Sequence, residues 1–315
     1  MRVSIKHIVL VIAFVNISFS ALSQKWIKPK TNHKISIKLE KRMMDSGKNA
    51  HTSVSQYLSQ DDSLLNYFSK YTYSNNNYYL SLYPSFYVGS GFQDHLKFLS
   101  NNSAGINIDA SYNKSGHNIG IHAGTEIFAG VQPYYLRLIM NSKKIVPGLL
   151  SNSRIYNNWN IAFLPDIYAK YQTPWIVSLE AGFGKDFIGD GYRSLLLSRN
   201  ISPYPYTSLI ADFDNISYRF RLMAIKNNDR MAFSDYKHNK FALNHYLNWN
   251  ISDNFSLGIF ESIVWTDKNR SLIEAQYLNP FIFFRPVEFS TGSSDNALMG
   301  LNLKFTPFKK FVLYL

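Results

Sequence analysis

The chain has 315 residues, no cysteine and a net charge of +12, which becomes +10 once Arg2 and Lys6 leave with an N-terminal leader. Without cysteine neither a disulfide framework nor a thiolate zinc site is available, so the fold needs another means of closure. Mean hydropathy is only −0.18, yet 22 Tyr, 23 Phe and 5 Trp give an aromatic fraction of 16 %, more than a soluble core needs and well suited to a membrane–water boundary.

Arg2 and Lys6 precede an apolar run from Ile8 to Phe19, followed by the small residues Ala21 and Ser23. That order reads as a secretory signal peptide over residues 1–23, cleaved after Ser23. The run is too short for a spanning helix and Asn16 interrupts it. For an exported basic chain without a nucleic-acid-binding motif, nucleic acid drops out as a partner, and acidic glycan or lipopolysaccharide ranks higher.

Residues 24–78 are rich in Lys, Ser and Asn. A weak helical pattern runs from Val54 to Phe68, with Leu58, Leu64, Leu65 and Phe68 on one face and Asp61 and Asp62 near its start. This segment is expected to be a periplasmic or plug-like entry piece.

From Tyr79 the period becomes two, and 79–315 is read as one unit. Ile106, Ile108, Ala110 and Tyr112 alternate with Asn107, Asp109, Ser111 and Asn113; Tyr218, Phe220, Leu222 and Ala224 alternate with Ser217, Arg219 and Arg221. Similar runs surround Ile119–Ile127, Trp175–Phe183 and Met299–Phe305. Each gives a strand with one apolar and one polar face. His245 and Glu261 break the pattern, sharing parity with apolar neighbours.

A soluble sandwich alternates too, so the connections decide. Short ones fall at Lys114–His117, Thr173–Pro174, Asp214–Asn215, Ser252–Asn254 and Thr306–Lys310, and long ones near 90–104, 130–157, 185–204, 227–239 and 266–296. Outer-membrane barrels pair short periplasmic turns with long outer loops in this way. The expectation is an all-β, antiparallel transmembrane β-barrel of about 11–12 strands, with strands of roughly 9–11 residues. The count is even only if Tyr134–Met140 is a further strand; a chain stopping mid-strand at Leu315 reads as a barrel cut short.

Two segments carry candidate chemistry. Gly184–Ser198 holds Asp186, Asp190 and Arg193 around Gly189 and Gly191. A glycosidase needs two carboxyls at a defined separation, and nothing in the sequence fixes one; the plainer reading is a glycine-kinked turn with these charges pairing locally. Tyr277–Phe289 holds Arg285 and Glu288 in an aromatic setting, with Asp295 following; these suit a sugar site or a structural ion pair equally. The histidines show no metal-ligand spacing, and no cofactor motif is present.

Gly184–Ser198, Phe241–Trp249 and Tyr277–Leu303 together resemble the Wzi-like capsule-assembly family, in particular its Bacteroidetes branch of RemB-like gliding-motility proteins. The resemblance covers roughly 175–305 well and the first half loosely. It implies an outer-membrane barrel with a periplasmic helical or plug element, longer than this chain, that holds exported capsular polysaccharide lectin-fashion without cleaving it. By motif it points to Asp186, Asp190, Arg193, Arg285, Glu288 and Asp295 as glycan-binding candidates. The expected function is non-enzymatic binding or organising of acidic or neutral surface polysaccharide in the outer membrane, with membrane lipid, lipopolysaccharide and cell-surface proteins as further partners. The competing expectation is an anion-favouring diffusion channel lined by Arg219, Arg221 and Lys304. A third is a hydrolase built on Asp186 and Asp190.

Overall fold

The computed structural model describes residues 25–27, 51–54, 58–59, 71–75, 77–93, 97–143, 146, 148–149, 154–156, 159–191, 194–213, 215–225, 240–266, 295–308 and 311–315. Two very short strands, β1 (Lys25–Ile27) and β2 (Leu58–Ser59), pair with each other. All other strands join one antiparallel sheet of thirteen: β3 (Tyr71–Ser74), β4 (Tyr78–Gln93), β5 (Lys97–Lys114), β6 (His117–Val131), β7 (Arg154–Tyr156), β8 (Trp159–Gln172), β9 (Val177–Gly184), β10 (Tyr204–Asp212), β11 (Ile216–Ile225), β12 (Lys240–Ser252), β13 (Phe255–Thr266), β14 (Asn296–Phe308) and β15 (Phe311–Tyr314). Every strand lies beside its sequence neighbour except where β7 intervenes. β6 pairs with β8 directly, and β7 takes the end of β8 that β9 leaves uncovered.

The register explains how two-residue alternation becomes two chemically distinct faces. Residues opposite each other in an antiparallel ladder share a face. One row runs Leu82, Ile108, Ala123, Ile167, Phe183. The next face carries Ser81, Asp109, His122 and Tyr168 in one row and Glu180, Ser208, Arg221, Asn244 and Ser262 in another. The polar face is the sheltered one: Asn107, Asp109, His122 and Glu180 are at most 1 % exposed. The apolar face is open over β4–β9, where Ile106, Ile121 and Phe163 are 58, 50 and 48 % exposed. Water-soluble sheets show the opposite polarity.

Over β11–β13 the apolar face is itself buried. Phe241, Leu243, Ile263 and Trp265 form a cluster there, backed by Phe220, Leu222 and Ala224. His245 and Glu261 stand on this face, directly opposite each other, and both are buried. The Tyr218 hydroxyl hydrogen-bonds His245 Nδ1.

β3 and β15 end the sheet, and among the described residues they do not pair with each other. The antiparallel all-β architecture is therefore established, and the described pairings leave the sheet open. No helix among the described residues is long and apolar enough to cross a membrane, which has no bearing on crossing by strands.

Three expectations need correction. The connection near 90–104 is not long: β4 and β5, of 16 and 18 residues, continue their ladder to Gln93↔Lys97 and leave only 94–96 between them. Phe92 continues the alternation of Phe86 and Val88 and pairs with Phe98 across the ladder, so the strand pattern runs on into the residues read as a connection. Tyr134–Met140 is not a strand but most of helix α1 (Tyr134–Lys143). Pro133 precedes its first turn and accepts the Arg137 N–H, Gln93 Oε1 accepts the Tyr134 N–H, and Leu, Arg and Met favour the helix. Met140 buries the helix against Phe128, Val146, Leu149 and Ala162. Within the weakly helical stretch Val54–Phe68, the described residues are extended instead: Val54 forms a bridge to Ile188 and Leu58–Ser59 is β2. The rest of that stretch lies outside the described residues.

Candidate functional site

Beyond Gly184 the chain turns inward, onto the polar face. Gly189 (φ 122°) and Gly191 (φ 91°) adopt backbone that L side chains rarely reach, so two of the kinks in this stretch require glycine. Between them and Leu197 the segment closes on itself and on His51–Val54. The Ile188 N–H donates to Leu197 O at 3.0 Å, the Gly189 N–H donates to Ser53 O at 2.7 Å, and Val54 bridges Ile188. Val54, Ile188 and Leu197 pack with Tyr168, Tyr204, Tyr206, Met223, Ala242, Tyr246 and Phe260. Leu196 sits where a side chain at position 300 would otherwise stand, 2.4 Å from an ideal Gly300 Cβ.

Two aspartates fasten this insert. Asp186 Oδ2 pairs with Arg221 Nη1. Arg221 also faces Glu180 Oε1 at 3.4 Å, donates from Nε to Ser208 Oγ at 2.7 Å, and lies 4.2 Å above the Tyr206 ring. Tyr206 closes the group by donating its hydroxyl to Glu180 at 2.8 Å. Asp190 receives Thr52 Oγ1 at 2.8 Å and Asn302 Nδ2 at 2.7 Å, with Lys304 Nζ at 3.8 Å. Lys304 donates to Thr52 Oγ1 at 2.9 Å, and Ser53 donates to Asn248 Oδ1 at 2.8 Å. Asn248 Nδ2 reaches His51 Nδ1 at 2.7 Å.

A second polar group lies on the same face toward β4. His122 Nδ1 and Asp109 Oδ1 are 2.6 Å apart, and Tyr168 stacks on the imidazole with ring centres 5.0 Å apart. Nearer the long connections, Lys185 Nζ donates to Gly148 O at 3.0 Å and Ser202 Oγ donates to Leu149 O at 2.5 Å. These bonds tie the stretch after α1 to the insert. Burial lowers the Lys185 ammonium to a pKa of about 8, with Glu126 and Asp166 opposing the shift.

The candidate residues separate. Asp186 and Asp190 belong to one insert, and both face the sheltered polar side of the sheet. Their described partners are Arg221 on β11 and Asn302 and Lys304 on β14; the local pairing with Arg193 that the sequence suggested lies outside the described residues. Asp186 is 1 % exposed, so its carboxylate presents no oxygen to a polymer outside. Asp295 stands half-buried just before β14. Arg193, Arg285 and Glu288 lie outside the described residues. Sequence reasoning did not connect Arg221, Asn248, Asn302 or Thr52 to this insert. Three of these four occupy polar-phase positions of their strands, which is the signal that marks an inward direction. Among the described residues no group of His, Asp and Glu has the arrangement of a metal site.

The segments that carry the family resemblance converge. Asp190 binds Asn302, Leu196 meets Gly300, and Asn302 Nδ2 lies 3.3 Å from the Tyr246 hydroxyl. Fold and site thus define a class: an antiparallel β-sheet chain whose polar face is sheltered and fastened to its own inserted loop. No family model, curated protein or solved structure matches the chain.

Proposed function

We propose that this chain is an outer-membrane β-barrel that binds or organises exported surface polysaccharide without cleaving it, as the Wzi-like resemblance implies. The observation that carries the membrane reading is the inverted polarity of the sheet. Isoleucine and phenylalanine side chains point outward and stand open, while Asn107, Asp109, His122 and Glu180 are enclosed. In lipid this arrangement is favoured, because apolar side chains meet acyl chains and the strands between the two edges have ladder partners on both sides. In water the same open face would drive aggregation. The signal-like N-terminus agrees with export. The edge strands β3 and β15 have to find partners within the bilayer for the barrel to form.

The polysaccharide reading rests on the three resembling segments and on what the site disfavours. A hydrolase on Asp186 and Asp190 lacks support, since both carboxylates are consumed by Arg221, Asn302 and Thr52. An anion channel loses two of its lining cations, because Arg221 and Lys304 face Asp186, Glu180 and Asp190. A link to gliding motility follows from the resemblance alone.

Purified protein in detergent, mixed at low salt with capsule isolated from the producing cells, is expected to retain the polysaccharide and leave its chain length unchanged. Absence of retention, or shortening of the polymer, removes the reading. Membrane fractionation with an outer-membrane marker tests the location separately.

A further inference from the structure

We infer that Arg221 and Lys304 form an anion site on the inner face that the chain fills with its own Asp186 and Asp190, and that carboxylates of a uronic-acid polysaccharide displace them. This rests on the polysaccharide reading and narrows it to an acidic polymer.

Four observations carry it. Both cations belong to the sheet, whereas both aspartates belong to one insert kinked at Gly189 and Gly191. The carboxylates are therefore separable from their cations by moving a single segment. Next, the polar face over β9–β14 carries Arg219, Arg221 and Lys304 against two acids of the sheet itself, Glu180 and Asp212. Without the insert, cations outnumber acids there. Third, the donors are arranged as a carboxylate site. Asn302 Nδ2 and Thr52 Oγ1 hydrogen-bond one carboxylate with Lys304 behind them, and a guanidinium with Ser208 and Tyr206 around it holds the other. Charge-assisted pairs of this kind are the strong ones, and they recognise a carboxylate irrespective of the molecule bearing it. Fourth, Tyr204, Tyr206 and Tyr246 lie in the same cluster as the insert and offer ring faces to pyranose carbons once Ile188 and Leu197 withdraw.

An acidic polymer thus competes with an internal mimic, and its apparent affinity is reduced by the fraction of molecules that are closed. Removing the mimic's charge should strengthen binding; fastening the insert should weaken it. Leu196 Cγ lies 3.9 Å from the ideal Gly300 Cβ, so Leu196→Cys with Gly300→Cys brings two thiols close together in a chain that has no other cysteine, and the cross-link formed on oxidation is verified by mass.

The experiment measures binding of tetragalacturonate and of maltotetraose, a neutral control of equal length, to the full chain in detergent. Asp190→Asn is expected to bind tetragalacturonate about tenfold more tightly than the parent, and adding Lys304→Gln to remove that gain. The double-cysteine protein is expected to bind when reduced and to lose about tenfold when oxidised. Equal binding of the two sugars, no gain in Asp190→Asn, or equal binding in both redox states overturns the inference. Capsule retention by the oxidised protein is read in parallel. Retention without a tetragalacturonate response in any variant sinks the internal-mimic site and leaves the proposed function standing, whereas loss of capsule retention by the parent chain sinks the function itself.

Discussion

His245 on β12 and Glu261 on β13 stand directly opposite each other on the face that the sheet otherwise gives to leucine, isoleucine and phenylalanine. Leu243 and Ile263 form the neighbouring pair on that face, and Tyr218 holds His245 from β11. An acid and an imidazole side by side on an apolar face are each costly to bury and are made tolerable by their polar neighbours.

A coupling follows. His245→Leu and Glu261→Leu, made singly, each leave a polar neighbour in an apolar setting and should destabilise by roughly 1–3 kcal/mol. The double substitution should cost less than the sum, with a coupling of about 1 kcal/mol or more. Urea unfolding in detergent, followed by loss of the folded band in unheated gels, measures it. Strict additivity would show that the two side chains do not depend on each other.

Asp186→Asn tests the fastening of the insert. The ion pair to Arg221 is buried on both sides, and removing one partner of such a pair typically costs about 3–5 kcal/mol. Glu180 still faces Arg221 at 3.4 Å, so the loss should fall toward about 2–3 kcal/mol. The damage should be local: trypsin should cut sooner at Lys185 or Arg199 while the strand ladder persists. Protection at these two sites equal to that of the parent would contradict the role given to Asp186.

Much of the fold was legible because the sheet keeps one residue type per face. The parity of Ile106, Ile108 and Ala110 against Asn107, Asp109 and Ser111 marked the second half of β5, and the short connection Lys114–His117 marked its end. The parity breaks at His245 and Glu261 were readable too, and the structure puts both on the apolar face, where they are buried. Less was legible where chain geometry competes with pattern. The β4–β5 hairpin rises through residues that the spacing of the alternating runs had left to a long connection, and Tyr134–Met140 became helical because Pro133 and a tertiary seat for Met140 outweigh strand expectation. The site was least legible. That Asp186 meets Arg221 and Asp190 meets Asn302 depends on a segment folding inward across several strands, and no spacing in the sequence records such a contact.

The Ser115–Gly116 turn supplies a paired prediction. Both residues have positive φ, 52° and 82°, the geometry of a two-residue hairpin turn that matches strand twist. Ser115→Gly removes a left-handed serine and should stabilise by about 0.5–1 kcal/mol. Gly116→Val should destabilise by more than about 1 kcal/mol, because a side chain there is strained and its Cβ would lie 2.9 Å from Pro174 Cβ. The two substitutions are compared by urea midpoint. The same sign for both would show that backbone conformation does not govern the turn.

Lys185 gives the pH dependence. Its folded pKa of about 8 lies below the ordinary lysine value of 10.5, so between those values the unfolded chain binds a proton that the folded chain does not. Stability therefore rises as pH increases from about 8 to about 10.5, and the penalty of burying the ammonium is fully present below pH 8. Lys185→Met removes this titration and should flatten that part of the stability–pH curve, while giving up the hydrogen bond to Gly148 O. An unchanged stability slope in Lys185→Met would locate the titrating group elsewhere.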